Sequence, residues 1–175
     1  MPVVTGTITA TYGQYFLRSF DYVDVSAWSY TGSNGLVASL IPPGVLANPG
    51  EVAVILTGTE SGDVRVAVEI LDESPTSIPM EDWSEIVEVS LEISGDGAFV
   101  TTVDELDEDD PLPDLPAGAI RLRVHARGRD EAYNAVEDPA PVEEHLLQVW
   151  PAAPQPENVI KLTDAVGALR RSRQT

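Results

Sequence analysis

A single antiparallel β-sandwich, all-β and built from about eight or nine short strands, is the fold this sequence predicts. Two observations predict it: apolar and polar residues alternate with period two along most of the chain, and the alternating runs are separated by Gly- and Pro-bearing turns. Helical periodicity, by contrast, is nearly missing. At 175 residues the chain suits one domain with a sizeable core, and its 43% hydrophobic content sets its body apart from disordered chains.

The elements follow in order. Ile8, Ala10 and Tyr12 share one face of a first strand, and Tyr15 and Leu17 take over beyond Gly13, so a β-bulge is expected at that glycine. Tyr12, Tyr15, Phe16, Phe20, Tyr22, Trp28 and Tyr30 are seven of the eleven aromatics, gathered in one stretch. Aromatic rings carry the largest burial energies open to a sandwich, so core is the first expectation and a sugar-stacking platform the second. Glu51 to Thr57 and Val64 to Leu71 are predicted to form a hairpin through Gly58-Thr-Glu-Ser-Gly-Asp63. A second predicted hairpin joins Val87, Val89, Leu91 and Ile93 to Ala98 to Val103 through Ser94-Gly-Asp-Gly97. Ile120, Leu122, Val124 and Ala126 point a further strand into the core, with Arg121, Arg123, His125 and Arg127 on its other face. A strand from His145 to Trp150 stops at Pro151, and Asn158 to Leu162 adds a last one.

The sandwich domain is expected to span residues 1–151, followed over 152–175 by a Pro-rich linker and a basic tail. In that tail Thr163-Asp164 can cap a short helix through Leu169, with Arg170, Arg171 and Arg173 near its C-terminal end. So short a helix frays unless the domain body or a partner holds it.

Charge narrows the function. Twenty-nine Asp and Glu against ten Lys and Arg give a formal net charge of −19, which repels phosphate backbones and anionic membranes and attracts a basic protein partner. Seven of the carboxylates lie between Asp104 and Asp114, where Asp107, Glu108, Asp109 and Asp110 are the expected steering or inserted group. The structural explanation of the same run is a solvated acidic loop; it also offers calcium ligands, but the solvated loop is preferred because the run lacks the alternating pattern and central Gly of the helix-loop-helix calcium site. Arg121 and Arg123, with His125, are the candidate floor of a second recognition surface for an acidic loop; cross-strand pairing with Glu88, Glu92, Glu143 or Glu144 is the structural explanation of the same stripe.

Catalytic signatures are missing. His125 and His145 each sit in a strand without a serine or paired histidine at a recognised spacing, no Gly-rich phosphate loop is present, and no cysteine exists to supply a nucleophile, thiolate ligand or disulfide. A non-enzymatic protein without a cofactor is expected. The start, Met1-Pro-Val-Val-Thr-Gly-Thr7, has neither a basic nor an apolar leader region, which points to the cytoplasm.

The order of features then resembles a family. It runs Thr9-Ala-Thr-Tyr-Gly-Gln-Tyr-Phe-Leu17, a Trp/Tyr-bearing loop, Ser33-Asn-Gly-Leu-Val-Ala-Ser39, the strand through Val64 to Leu71, Glu88 to Val103 around Gly-Asp-Gly, Asp114-Leu-Pro-Ala-Gly-Ala-Ile-Arg-Leu-Arg-Val124, and Glu144-His-Leu-Leu-Gln-Val-Trp150. Over residues 5–150 this resembles the competence protein J family of bacterial inhibitors of a DNA-entry nuclease. The Asp104 to Asp114 run, Arg127-Gly-Arg-Asp130 and everything after Pro151 depart from that pattern. The resemblance implies an acidic protein-binding module that blocks a basic nuclease cleft; the competing expectation is a carbohydrate- or calcium-binding sandwich with no inhibitory role.

Overall fold

The computed structural model describes residues 3–19, 29–31, 34–41, 50–102, 112–135 and 141–173. Its strands are β1 (Val4–Thr11), β2 (Gln14–Ser19), β3 (Ser29–Thr31), β4 (Val37–Ile41), β5 (Val52–Leu56), β6 (Ser61–Ile70), β7 (Glu85–Ile93), β8 (Ala98–Thr101), β9 (Gly118–Arg127), β10 (Glu144–Pro151) and β11 (Asn158–Leu162). Helix α1 (Arg129–Asn134) lies between β9 and β10, and α2 (Ala165–Ser172) follows β11.

The all-β expectation holds, but the architecture is one mixed sheet curled into a half-barrel rather than two antiparallel sheets. Strand order is β11-β7-β9-β10-β6-β1-β2-β5-β4-β3, with β8 attached to β2. All the neighbours run antiparallel except β10 and β6, which pair in parallel from Glu144↔Arg65 to Val149↔Ile70. The sheet bends where β1 passes to β2. Those strands share only the pair Thr11↔Gln14 before β2 turns away to lie between β5 and β8. On the far side, Gly50 bridges to Leu91 of β7 and closes the curl.

The slip at Gly13 is a turn, not a bulge. Tyr12 and Gly13 both hold left-handed backbone, φ 55° and 71°, the two-residue geometry whose twist matches flanking antiparallel strands. Neither predicted hairpin is paired: β5 joins β2 and β4 while β6 joins β1 and β10, and β7 joins β9 and β11 while β8 joins β2. Both turns do reverse the chain. They carry it from one arm of the curled sheet to the other, because turn chemistry fixes the reversal but not the strand that will accept the returning backbone.

Period-two alternation places the core as expected. Val64, Val66 and Val68, Val87, Val89, Leu91 and Ile93, and Ile120, Leu122, Val124 and Ala126 line the concave side with Ile8, Tyr15 and Leu17. Phe16, on the opposite face of β2, joins Leu40, Val52 and Val54 in a smaller cluster. Tyr15 and Phe16 are thus core aromatics, whereas Phe20, Tyr22 and Trp28 lie outside the described residues.

Candidate functional site

The arginine stripe is occupied from within. Alternation turns Arg121, Arg123, His125 and Arg127 to the convex face of β9, and register sets Arg123 opposite Glu88 and Arg121 opposite Ser90 on β7. Glu88 bridges both guanidinium groups, accepting from Arg121 Nε at 3.3 Å and from Arg123 Nε at 2.7 Å. Arg121 also donates to Ser90 Oγ at 2.8 Å and to the carbonyls of Gln155 and Pro156 at 3.0 and 2.8 Å. Arg123 lies over the Trp150 ring and reaches Gln148. Each arginine is only 3% exposed: Arg121 anchors the Pro-rich segment after β10, and Arg123 is held by Glu88, Gln148 and Trp150, so neither presents a floor for an acidic loop. Of the expected partners, Glu88 takes this role, and Glu144 pairs with Arg127 and Arg65 nearer the surface. His125 is wholly buried, and burial, with Arg123 adding, lowers its pKa to about 4.

Two further buried constellations have little sequence signature. Arg129, with no exposed surface, grips Asp164 through Nε and Nη2 at 2.7 and 2.8 Å and donates Nη1 to the carbonyls of Gly35 and Leu56. Asp164 in turn caps α2 by accepting from Gly167 N at 2.6 Å. Burial would raise the Asp164 carboxyl, but Arg129 and the cap bond outweigh it and hold the group below its ordinary value. Beside them, Glu85 Oε1 accepts from the backbone of Thr163 and Asp164 at 2.7 Å each, while buried Oε2 accepts no hydrogen bond among the described residues. The second constellation runs through the core: the Tyr15 hydroxyl meets His145 Nδ1 at 2.7 Å, and His145 Nε2 meets Glu143 Oε1 at 2.9 Å. Glu143 also accepts from Gly58 N, Thr59 N and Thr59 Oγ1, which fixes the β5–β6 connection. Burial opposes its charge, yet these bonds keep the carboxyl below its usual range. Tyr15, His145 and Glu143 are closed to solvent, so their relay of tyrosine, imidazole and carboxylate meets no substrate in this structure. The i, i+2 spacing of Glu143, just before β10, and His145, in it, was the available clue, since extended backbone puts both on one side.

The electrostatic result concerns the outside of the molecule. The buried ionisable groups include Arg121, Arg123 and Arg129 and also Glu85, Glu88, Glu143 and Asp164, so they nearly cancel. Almost all of the formal −19 therefore lies outside the described core. Asp107, Glu108, Asp109 and Asp110 lie outside the described residues, but both flanks of their run are fixed: Thr101 is buried at the end of β8, and Leu115 pairs with Ala98 at its start. Among the described residues no group of three or more acidic or histidine side chains is placed to hold a metal ion, and no helix is long and apolar enough to cross a membrane.

No family model matches the chain, and no curated protein matches it. Among solved structures, ComJ of Bacillus subtilis, described as an inhibitor of the DNA-degrading activity of NucA, superposes with a TM-score of 0.50 at 11% identity, covering 85% of this chain and 95% of its own. The chain is similar in fold to ComJ. Crocagin biosynthetic gene J superposes likewise, with a TM-score of 0.51 at 16% identity, covering 87% of this chain and 98% of that one. The resemblance read from the order of sequence features thus has a counterpart in three dimensions. At these identities the ComJ likeness is one of fold.

Proposed function

We propose that this chain is an acidic protein-binding module of the cytoplasm that inhibits a nuclease, acting by occupation of the enzyme's basic nucleic-acid cleft and not by catalysis. The observation that carries this reading is the separation of charge. Internal arginines are neutralised by internal carboxylates, leaving an outer surface with a large negative excess on a fold shared with a nuclease inhibitor. Such a surface offers carboxylates where the enzyme binds phosphates, and its long-range field accelerates encounter. The acidic run from Asp104 to Asp114 is the densest source of that field in the sequence, and Asp107, Glu108, Asp109 and Asp110 are the residues we assign to steering.

The test is a DNA-degradation assay against a panel of basic nucleases, with the association rate followed by stopped flow as salt is raised. Stoichiometric suppression of one nuclease, with an association rate that falls steeply with ionic strength, is expected. Full nuclease activity across the panel at low salt, with no complex on gel filtration, would refute the reading.

A further inference from the structure

Tyr12 is placed where neither folding rule wants it. It is the first residue of the two-residue turn between β1 and β2, with φ 55°, a position that favours Gly, Asn or Asp because a side chain crowds the left-handed backbone. The residue is 75% exposed, so burial returns little for that cost. The turn around it is held rigidly. Gly13 N donates to the Glu60 carbonyl and Thr57 N to the Gly13 carbonyl, both at 2.8 Å, which laces the hairpin tip to the β5–β6 connection. Glu143 holds that connection from beneath, and Arg170 of α2 donates to the Thr57 carbonyl. The backbone of Gly58 meets α1 so closely that a Cβ there would stand 2.0 Å from the Arg129 carbonyl oxygen.

The same end of the molecule gathers other exposed apolar surface. Tyr133, on the helix that begins at Arg129, is 48% exposed, and Val142, whose carbonyl packs against Gly128 just before that helix, is 45% exposed. Around them stand three exposed carboxylates, Glu60 beside Gly13, Asp63 at the start of β6 and Glu131 on α1, against one nearby cation, the Arg170 guanidinium, which also lies beside Gly13. Rigid, exposed tyrosines bordered by charge are the composition of protein-binding anchors, because Tyr supplies a large contact area for the loss of little side-chain freedom.

We infer that the end of the molecule formed by the β1–β2 turn, the β5–β6 connection and α1 is the contact surface for a basic protein partner, with Tyr12 as the anchor and Tyr133, on α1, as a second exposed ring. The partner's chemistry follows from the surface: an apolar slot deep enough for a phenol ring, bordered by lysines or arginines that face Glu60, Asp63 and Glu131. This inference rests on the inhibitor reading and names the face it uses. The acidic run provides the field that guides encounter, and the tyrosines provide the short-range contact that slows release.

The experiment uses full-length protein and whichever nuclease of the panel the wild type suppresses. Tyr12→Asn suits the left-handed turn better than tyrosine, so its melting temperature is expected to match or exceed that of the wild type. Its inhibition constant is expected to rise at least tenfold, mostly through faster dissociation, and Tyr12→Phe is expected to keep most of the inhibition by keeping the ring. Tyr133→Ser gives a second reading on a helix surface where the turn is untouched, with a smaller loss expected. Wild-type suppression that survives both Tyr12→Asn and Tyr133→Ser would overturn this surface while leaving the inhibitor reading intact. Failure of the wild type to suppress or bind any nuclease would overturn both.

Discussion

Glu85 occupies the most costly position of the described carboxylates. One oxygen receives two backbone N–H groups just before α2, while the other is buried with Arg129 and Arg171 each 3.9 Å away. Burial, assisted by the Asp164 charge and opposed by the backbone bonds and Arg129, raises its pKa to about 7. An acid whose folded-state pKa lies above its unfolded value favours folding at low pH. That contribution is lost as pH climbs from about 4.5 to about 7. His125 acts in the opposite sense, since its lowered pKa costs stability as pH falls from about 6.5 toward about 4. Asp164 and Glu143, held below their ordinary values, withdraw their contributions only in more acidic solution. Because the slopes of Glu85 and His125 offset each other in the wild type, the informative quantity is a difference between proteins. Glu85→Gln preserves the acceptor for Thr163 and Asp164 and cannot ionise, so its melting temperature relative to wild type is expected to rise between about pH 4.5 and about pH 7. A constant difference across that range would show that the carboxyl does not titrate there.

At the scale of elements, β11 and α2 tie the last described part of the chain to the sheet. β11 pairs with β7 from Asn158↔Glu88 to Leu162↔Glu85, the segment before it supplies carbonyls to Arg121, and Asp164 supplies the partner of Arg129. A chain ending at Pro151 would leave Arg129 buried without its carboxylate, a loss worth about 3 to 5 kcal/mol in comparable buried pairs. Urea unfolding of that truncation is therefore expected to show a drop of at least about 3 kcal/mol, whereas unchanged stability would make residues 152–175 a linker and appendage. The sequence carried much of this element by element. Alternation marks β5 to β11, and Asp164 marks the α2 cap. Pairing was not legible, because a Gly-rich turn says that the chain reverses without saying onto which arm, and nothing in β6 or β10 marks their parallel partnership. Burial of charge was equally hidden. Arg121 and Arg123 alternate like exposed residues, but Glu88 bridges both, the segment beyond β10 covers Arg121, and Trp150 lies against Arg123.

At the scale of the whole molecule, the buried charges of the described residues nearly cancel while the sequence carries −19, so the proposed distribution of function becomes a question of range. Contact at Tyr12 acts over a few ångströms, while a field from many carboxylates acts over about a Debye length, ~8 Å at physiological ionic strength. Of the proposed site, the sequence displays only the charge of the acidic run, and Tyr12 reads as one more strand residue until the turn places it at a tip. The run can be tested separately from the tip. Changing Asp107, Asp109 and Asp110 to Asn and Glu108 to Gln retains size and polarity and removes four negative charges, so melting temperature is expected to stay level or rise as like-charge repulsion falls. At low salt the variant is expected to bind its nuclease at least tenfold more weakly, about 1.4 kcal/mol, with the loss in the association rate. Raising the salt should bring the variant and wild type together, since screening removes from the wild type what substitution removed from the variant. The contrast with Tyr12→Asn is then diagnostic: a steering loss fades in salt and spares dissociation, whereas an anchor loss persists in salt and appears in dissociation. A quadruple variant whose deficit persisted undiminished at high salt would place these carboxylates in the contact itself, inside the enzyme's cleft.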